Sequence, residues 1–215
     1  MNSAPGRSSR SIWIGFCLVL VTVIAIVISS ILRSTVSKSS VLPVYSRMSD
    51  FHLTNQVGEV VSLASLQGKI WVGDVIFSRC AGPCPQMTKN MQALQSALEG
   101  DDSVMLVSLT TDPEFDTPEV LKRYGIRFEV DSSKWWFLTG TKEQIVRLAV
   151  DGLKLTAMET KPEERTSPED LFIHSTLFVV VDRQGRLRAA IPGLESGWKA
   201  KTLEIIRAIR NEGGS

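Results

Sequence analysis

The first 49 residues of this 215-residue chain contain no acidic side chain, although 23 Asp and Glu nearly balance 24 Lys and Arg over the whole. A net charge of +1 gives no general reason to expect a nucleic acid as partner. Histidine is almost absent, at two residues, and cysteine is scarce, at three. So few cysteines exclude a small scaffold held together by disulfides. Internal repeats are lacking, which excludes a solenoid or propeller. Low-complexity sequence is lacking too, apart from a Ser-rich stretch before residue 50. A hydrophobic content of 43% against 22% charged residues excludes a wholly disordered chain. The length suits about one ordinary domain with additions.

The head of the chain is basic and apolar. Arg7, Arg10, Arg33, Lys38 and Arg47 are its charges, which leaves the rest of the chain mildly acidic. Ile12 to Leu32 is a run of 21 uncharged residues. As a helix it rises about 31 Å, the thickness of a hydrocarbon core. We therefore expect one N-terminal transmembrane helix over 12–32, in which Cys17 behaves as an apolar residue. A cleaved signal peptide has a shorter apolar stretch and a small-residue cleavage site, which this run lacks. The charges flanking the run are nearly balanced, so the positive-inside rule barely orients it. We expect residues 1–11 in the cytoplasm and the body outside it. Residues 33–49, Ser-rich and carrying Pro43, read as a tether to a folded domain at 50–215.

That body alternates strand and helix signals. Asp50 to Thr54 and Val60 to Leu63 read as a hairpin around Gln56-Val57-Gly58-Glu59. Lys69 to Phe77 and Ser103 to Thr110 are short apolar runs suited to buried strands. Met87, Met91, Leu94 and Leu98 share a helical spacing over 85–98. Thr117 and Pro118 open a helix that Gly125 is expected to stop. Trp135 to Thr139 reads as a strand and Thr141 to Val150 as a helix with a capping box. Residues 151–173 read as an exposed insertion with some hairpin content. Thr176 to Asp182 and Leu187 to Ile191 form a second hairpin, and Ala200 to Arg210 closes the chain as a helix. The order implies an α/β sandwich.

Cys80 and Cys84 stand between a buried strand and an amphipathic helix, in Cys80-Ala81-Gly82-Pro83-Cys84-Pro85. Gly82 and Pro83 place the first sulfur on a loop, and Pro85 suits the first helical turn. A helix N-terminus and nearby Arg79 predict thiolate character, which redox chemistry and soft-metal binding both require. His174 stands just before an apolar strand. Alone it reads as a hydrogen-bonded core or edge residue, yet two thiolates with one imidazole suit copper, whereas structural zinc wants four ligands. His52 reads as a surface residue. Asp112 and Asp116 read first as turn and capping residues, with a role near the cysteines as the second reading. Trp135 and Trp136 read as packing residues.

Four runs in this order resemble the Sco/SenC family of membrane-tethered, thioredoxin-like proteins: DVIFSRCAGPCPQM, SLTTDPEFDTPEVLKRYG, WWFLTG and FIHSTLFVVVDRQGRL. The resemblance covers about residues 50–210. It implies a thioredoxin-like sandwich with an inserted hairpin. It further implies copper, as Cu(I) or Cu(II), held by Cys80, Cys84 and His174, and it brings Asp112 near that site. Family members assist assembly of the copper centre of cytochrome c oxidase, from the periplasm or the mitochondrial intermembrane space. A bacterial inner membrane is the expected location here. The expected partner is the copper-bearing subunit of the oxidase or another copper protein. The chain departs from the family in Ala81, where Pro is common, and in Thr111 before Asp112-Pro113. Two functions follow. The first is a copper metallochaperone. The second is a thiol–disulfide oxidoreductase in which Cys80 attacks a partner disulfide and Cys84 resolves it. Peroxide reduction, with Arg79 and Thr88 pressed into service, leaves the histidine unexplained.

Overall fold

The computed structural model describes residues 13–16, 18–26, 29, 42–155, 158–159, 172–173 and 175–212. They fall into two units, Met1–Ser40 and Val41–Ser215. In the first, residues 13–16, 18–26 and 29 are helical, with exposed apolar side chains. Among the described residues no helix is long and apolar enough to cross a membrane. The rest of the 12–32 run lies outside the described residues.

The second unit is built on an eight-stranded sheet. Its strands are β1 (Ser46–Arg47), β2 (His52–Asn55), β3 (Val60–Ser62), β4 (Ile70–Ile76), β5 (Val104–Thr110), β6 (Trp135–Thr139), β9 (Leu177–Val181) and β10 (Arg186–Pro192). The order across the sheet is β1-β10-β9-β4-β5-β6-β2-β3. β4, β5 and β6 are parallel, β9 runs antiparallel to β4, and β10 antiparallel to β9. β4 and β5 are buried along their whole lengths. That is why their sequences are continuous apolar runs rather than alternating ones. A separate pair, β7 (Met158–Glu159) and β8 (Phe172–Ile173), is antiparallel. It supplies the hairpin expected in the 151–173 insertion, whose other residues from 156 on lie outside the described residues.

Alternation along β4 splits the core in two. Ile70, Val72 and Ile76 pack with α2 (Cys84–Ala97), α3 (Pro118–Arg127) and α5 (Trp198–Glu212). Trp71 and Val75 face the other way, toward α1 (Leu63–Leu66), α4 (Lys142–Val146) and the β2–β3 hairpin. Both cysteines belong to the first of these layers.

The structure differs from the sequence reading in three places. Residues 42–49, read as tether, belong to the folded body, since β1 pairs with β10 and Met48 is buried. Gly125 does not stop α3, which runs on to Arg127. An added Cβ there would lie 3.3 Å from the Phe137 ring, so the glycine serves close approach of helix and sheet. The helix expected over 141–150 changes after Val146 into a π-helical turn, Arg147–Gly152. There Leu153 N–H donates to the Leu148 carbonyl at 2.9 Å, five residues back.

Candidate functional site

β4 ends at Ile76, and the next four residues turn toward α2. Cys80 N–H donates to the Phe77 carbonyl at 3.2 Å. Pro83 caps α2 in a helical conformation, and Cys84 is its first residue. The N–H groups of Gln86 and Met87 donate to the Pro83 carbonyl at 3.0 and 2.9 Å. A proline at the cap and another in the first turn have no N–H to leave unsatisfied there. Both cysteines are thiols, buried in the core layer that α2 covers.

The expectation of ready thiolates is corrected at Cys84. The Cys84 thiol is pushed well up, first by its hydrogen bond with Cys80 and then by burial. Two sulfurs this close repel as anions, and that outweighs the helix N-terminus. Arg79 is committed elsewhere: its Nε donates to Asp112 Oδ2 at 2.6 Å, and its guanidinium lies 4.7 Å from the Phe115 ring centre. Cys84 therefore holds its proton beside the Cys80 sulfur.

Two carboxylates fix the segment that leads into Cys80. Asp112 is buried and takes Arg79, while its carbonyl accepts from Phe115 and Asp116 N–H at 3.1 and 2.8 Å. Turn chemistry and contact with the cysteine loop are thus both present in one residue. Asp116 is fully buried and is not the cap; Thr117 is. Its carboxylate accepts from Ser78 N–H at 3.0 Å, from the Ser78 hydroxyl and from Thr110 Oγ1 at 2.5 Å. Burial raises its pKa despite those bonds. Replacing Asp116 by Ala strands the Ser78 N–H and the Thr110 hydroxyl without an acceptor. The expected cost is about 1–3 kcal/mol, read from the urea midpoint. An unchanged midpoint contradicts that role.

His174 lies outside the described residues. Its near neighbour Thr176 is joined to α2 by a short relay. The Thr176 carbonyl accepts from Gly193 N–H at 2.7 Å, and the Gly193 carbonyl accepts from Asn90 Nδ2 at 2.7 Å. A Cβ on Gly193 would come within 2.8 Å of Met87 and of Phe178, so only glycine lets this loop close on the helix. His52 is exposed, 3.9 Å from Asp50, as a surface residue. Trp135 is fully buried and Trp136 half-buried; both are packing residues. Among the described residues no group of three or more His, Cys, Asp or Glu gathers to hold a metal ion.

Two polar groups near the cysteines, Tyr124 and Asp74, were missed, and Thr88 was named only for peroxide chemistry. Thr88 Oγ1 bonds the Cys84 carbonyl at 2.9 Å and the Tyr124 hydroxyl at 2.8 Å. Burial pushes the Tyr124 phenol up. Asp74, on β4, has no exposed surface, and burial raises its carboxyl to about 7 against one opposing bond from Ser108. The available signal was one acid inside the run KIWVGDVIF, at a position that alternation puts on the cysteine side of the sheet.

The sequence model of the SCO1/SenC family matches residues 43–210. A SCO1 protein homolog of Bacillus subtilis is 35% identical over 156 residues, 72% of this chain and 78% of that protein. The structure of BsSco superposes with a TM-score of 0.68 at 27% identity, over 80% of this chain and 98% of that one. BsSco is described as having a disulfide switch and as a member of the Sco family of cytochrome c oxidase assembly proteins. Copper-bound ScoI of Bradyrhizobium japonicum has the same fold, with a TM-score of 0.63 at 22% identity over 76% of this chain and 99% of its own. The fold is thus the thioredoxin-like α/β sandwich implied by the sequence.

Proposed function

The chain belongs to the SCO1/SenC family, and on that premise we propose that it is a membrane-tethered copper carrier for assembly of the copper centre of cytochrome c oxidase. Cys80 and Cys84 as thiolates, with His174 as imidazole, hold one copper ion as cargo. Residues 12–32 anchor the chain in the membrane, with the body on the outer side. The observation that carries the reading is the pair of adjacent, buried thiols, Cys80 on the loop and Cys84 opening α2. Two thiolates this close repel each other, and a soft monovalent cation relieves that repulsion by bridging them. Capture releases the thiol protons. Delivery then proceeds by exchange of one ligand at a time with thiols of the acceptor.

The same adjacency favours a second reading, a thiol–disulfide oxidoreductase, because Cys84 is placed to resolve a mixed disulfide on Cys80. That chemistry needs no histidine. The test is a Cu(I) titration of the reduced full chain in detergent against a competing chelator. The carrier reading expects one copper per chain, with affinity lowered in Cys80→Ser, Cys84→Ser and His174→Ala alike. Unchanged affinity in His174→Ala removes the histidine from the site. Weak binding in the wild type overturns the carrier reading in favour of the thiol reductant.

A further inference from the structure

The two sulfurs are nearly closed to solvent: Cys80 is 8% exposed and Cys84 2%. An acceptor that takes copper by ligand exchange has to bring its own thiol to them, so its surface has to seat on what surrounds the loop. Two exposed apolar side chains stand there. Phe115, on the loop between β5 and α3, is 45% exposed. Among the described side chains of the second unit it is the only exposed phenylalanine or tryptophan. Leu194, on the loop between β10 and α5, is 44% exposed. The cysteine loop itself exposes Ala81 and Gly82, which carry no charge.

Both apolar knobs are held in place. Arg79, the residue before Cys80, lays its guanidinium on the Phe115 ring while Asp112 takes its Nε. Phe115 N–H donates to the Asp112 carbonyl at 3.1 Å, so ring, cation and carboxylate close on one another. Leu194 follows Gly193, whose carbonyl accepts from Asn90 and whose added Cβ would meet the Met87 sulfur at 2.7 Å. Met87 is one turn beyond Cys84 on α2. One knob is thus tied to the residue before Cys80, and the other to the helix turn after Cys84. Aromatic and arginine side chains are enriched in the centres of interfaces, and a group already ordered loses little freedom when a partner covers it. Each knob also has a carboxylate as its chain neighbour, Glu114 and Glu195. Both are exposed, and neither pairs with a cation among the described residues.

We propose that Phe115 and Leu194 are the two anchors on which the copper-accepting protein docks, and that its contact face is apolar with basic side chains on the rim that meet Glu114 and Glu195. The inference deepens the carrier reading given above and rests on it. The occupant follows from the position of the knobs beside the buried sulfurs and from the charge beside each knob. A second copy of this chain, docked by the same face, would set these carboxylates against each other. Neither Phe115 nor Leu194 is a ligand, so the contact governs the rate of delivery and the choice of acceptor, not the affinity for copper. The exchange itself is balanced. Each acceptor thiol that bonds to Cu(I) gives up its proton, each cysteine that lets go regains one, and no electron moves.

The test separates docking from ligation. The reduced full chain in detergent, loaded with Cu(I), is mixed without oxygen with the reduced copper-binding domain of the oxidase subunit. In parallel it is mixed with bathocuproine disulfonate, a small chelator that needs no docking face. Phe115→Ser and Leu194→Ser are each expected to slow transfer to the domain about tenfold and to leave removal by the chelator unchanged. The double variant Glu114→Gln, Glu195→Gln is expected to flatten the fall of the transfer rate with added salt. Wild-type transfer rates in both apolar variants overturn the inference and leave the carrier reading in place. Equal slowing with the domain and with the chelator also overturns it, because the variants then act on the copper site itself. A salt dependence unchanged in the double variant overturns the basic rim assigned to the partner. A wild type that loads copper but does not pass it to the domain overturns the carrier reading and the inference with it.

Discussion

Asp74→Asn is expected to stabilise the folded chain above about pH 7 by on the order of 3–4 kcal/mol, a gain that vanishes below about pH 4. The carboxyl is raised from its ordinary 3.8 to about 7, chiefly because burial strips the anion of water. Between those two values the folded chain binds more of this proton than the unfolded chain does. Stability contributed by the protonated form is therefore complete at the acid end and declines as pH rises toward 7. Asn keeps an oxygen for Ser108 and has no charge to desolvate. Its amide hydrogens find no acceptor where Oδ2 had no partner, but the acid proton of Asp74 faces the same lack, so the two residues match at low pH. Urea midpoints followed by tryptophan fluorescence should fall with pH more steeply in the wild type than in the variant, which keeps the contribution of Asp116. Parallel curves would show that water or a conformational shift already relieves the charge.

The cysteine site was legible because its chemistry is written locally. Cys80, Cys84, Pro83 and Pro85 lie within six residues, and a strand run before them with a helical spacing after them fixes a loop between. β4, β5, β6 and the β9–β10 hairpin were legible for a related reason: continuous apolar runs have few other places to go. Long-range features were not. Nothing near Asp116 in sequence shows that its carboxylate reaches back to Ser78, and its neighbour Thr117 made capping the simpler expectation. Arg79 reads as a cation near the cysteines until Asp112, from a different strand end, takes it up. The thiolate expectation fails at Cys84 because a helix terminus is a local signal, whereas the hydrogen bond between two buried sulfurs belongs to the folded site. Gly125 reads as a helix stop by composition, and only the Phe137 ring across from it shows the other use of a missing side chain.

Arg188→Met is expected to cost about 3–5 kcal/mol, because it strips one partner from a buried ionic cluster and leaves the others in place. Arg188 is on β10, where the pairing with β9 shifts register between Leu187 and Ala189. A bulge of this kind re-aims a side chain, and here it turns an arginine into the interior, 2% exposed. Its Nη1 donates to Asp182 Oδ2 at 2.8 Å, and its Nη2 to Glu212 Oε1 and Oε2 at 2.9 and 2.7 Å. The remaining donors hold the chain that leads into β1: Nη2 to the Leu42 carbonyl at 2.6 Å and Nε to the Pro43 carbonyl at 3.1 Å. Glu212 closes the ring by accepting from Leu42 N–H at 2.7 Å. One guanidinium thus ties the start of the folded body to the end of α5. Asp182 keeps Arg186 and two backbone N–H groups if Arg188 is lost, so Glu212 and the two carbonyls account for most of the cost. Arg188→Lys keeps the charge but not the planar fork, and should recover less than half of the loss. β1 contributes only two residue pairs of its own. Loss of the clamp should therefore also open residues 42–47 to proteolysis before the rest of the body unfolds. An Arg188→Met variant within 1 kcal/mol of wild type, with this segment still protected, would mean that β1 and α5 hold their places without the ionic ring.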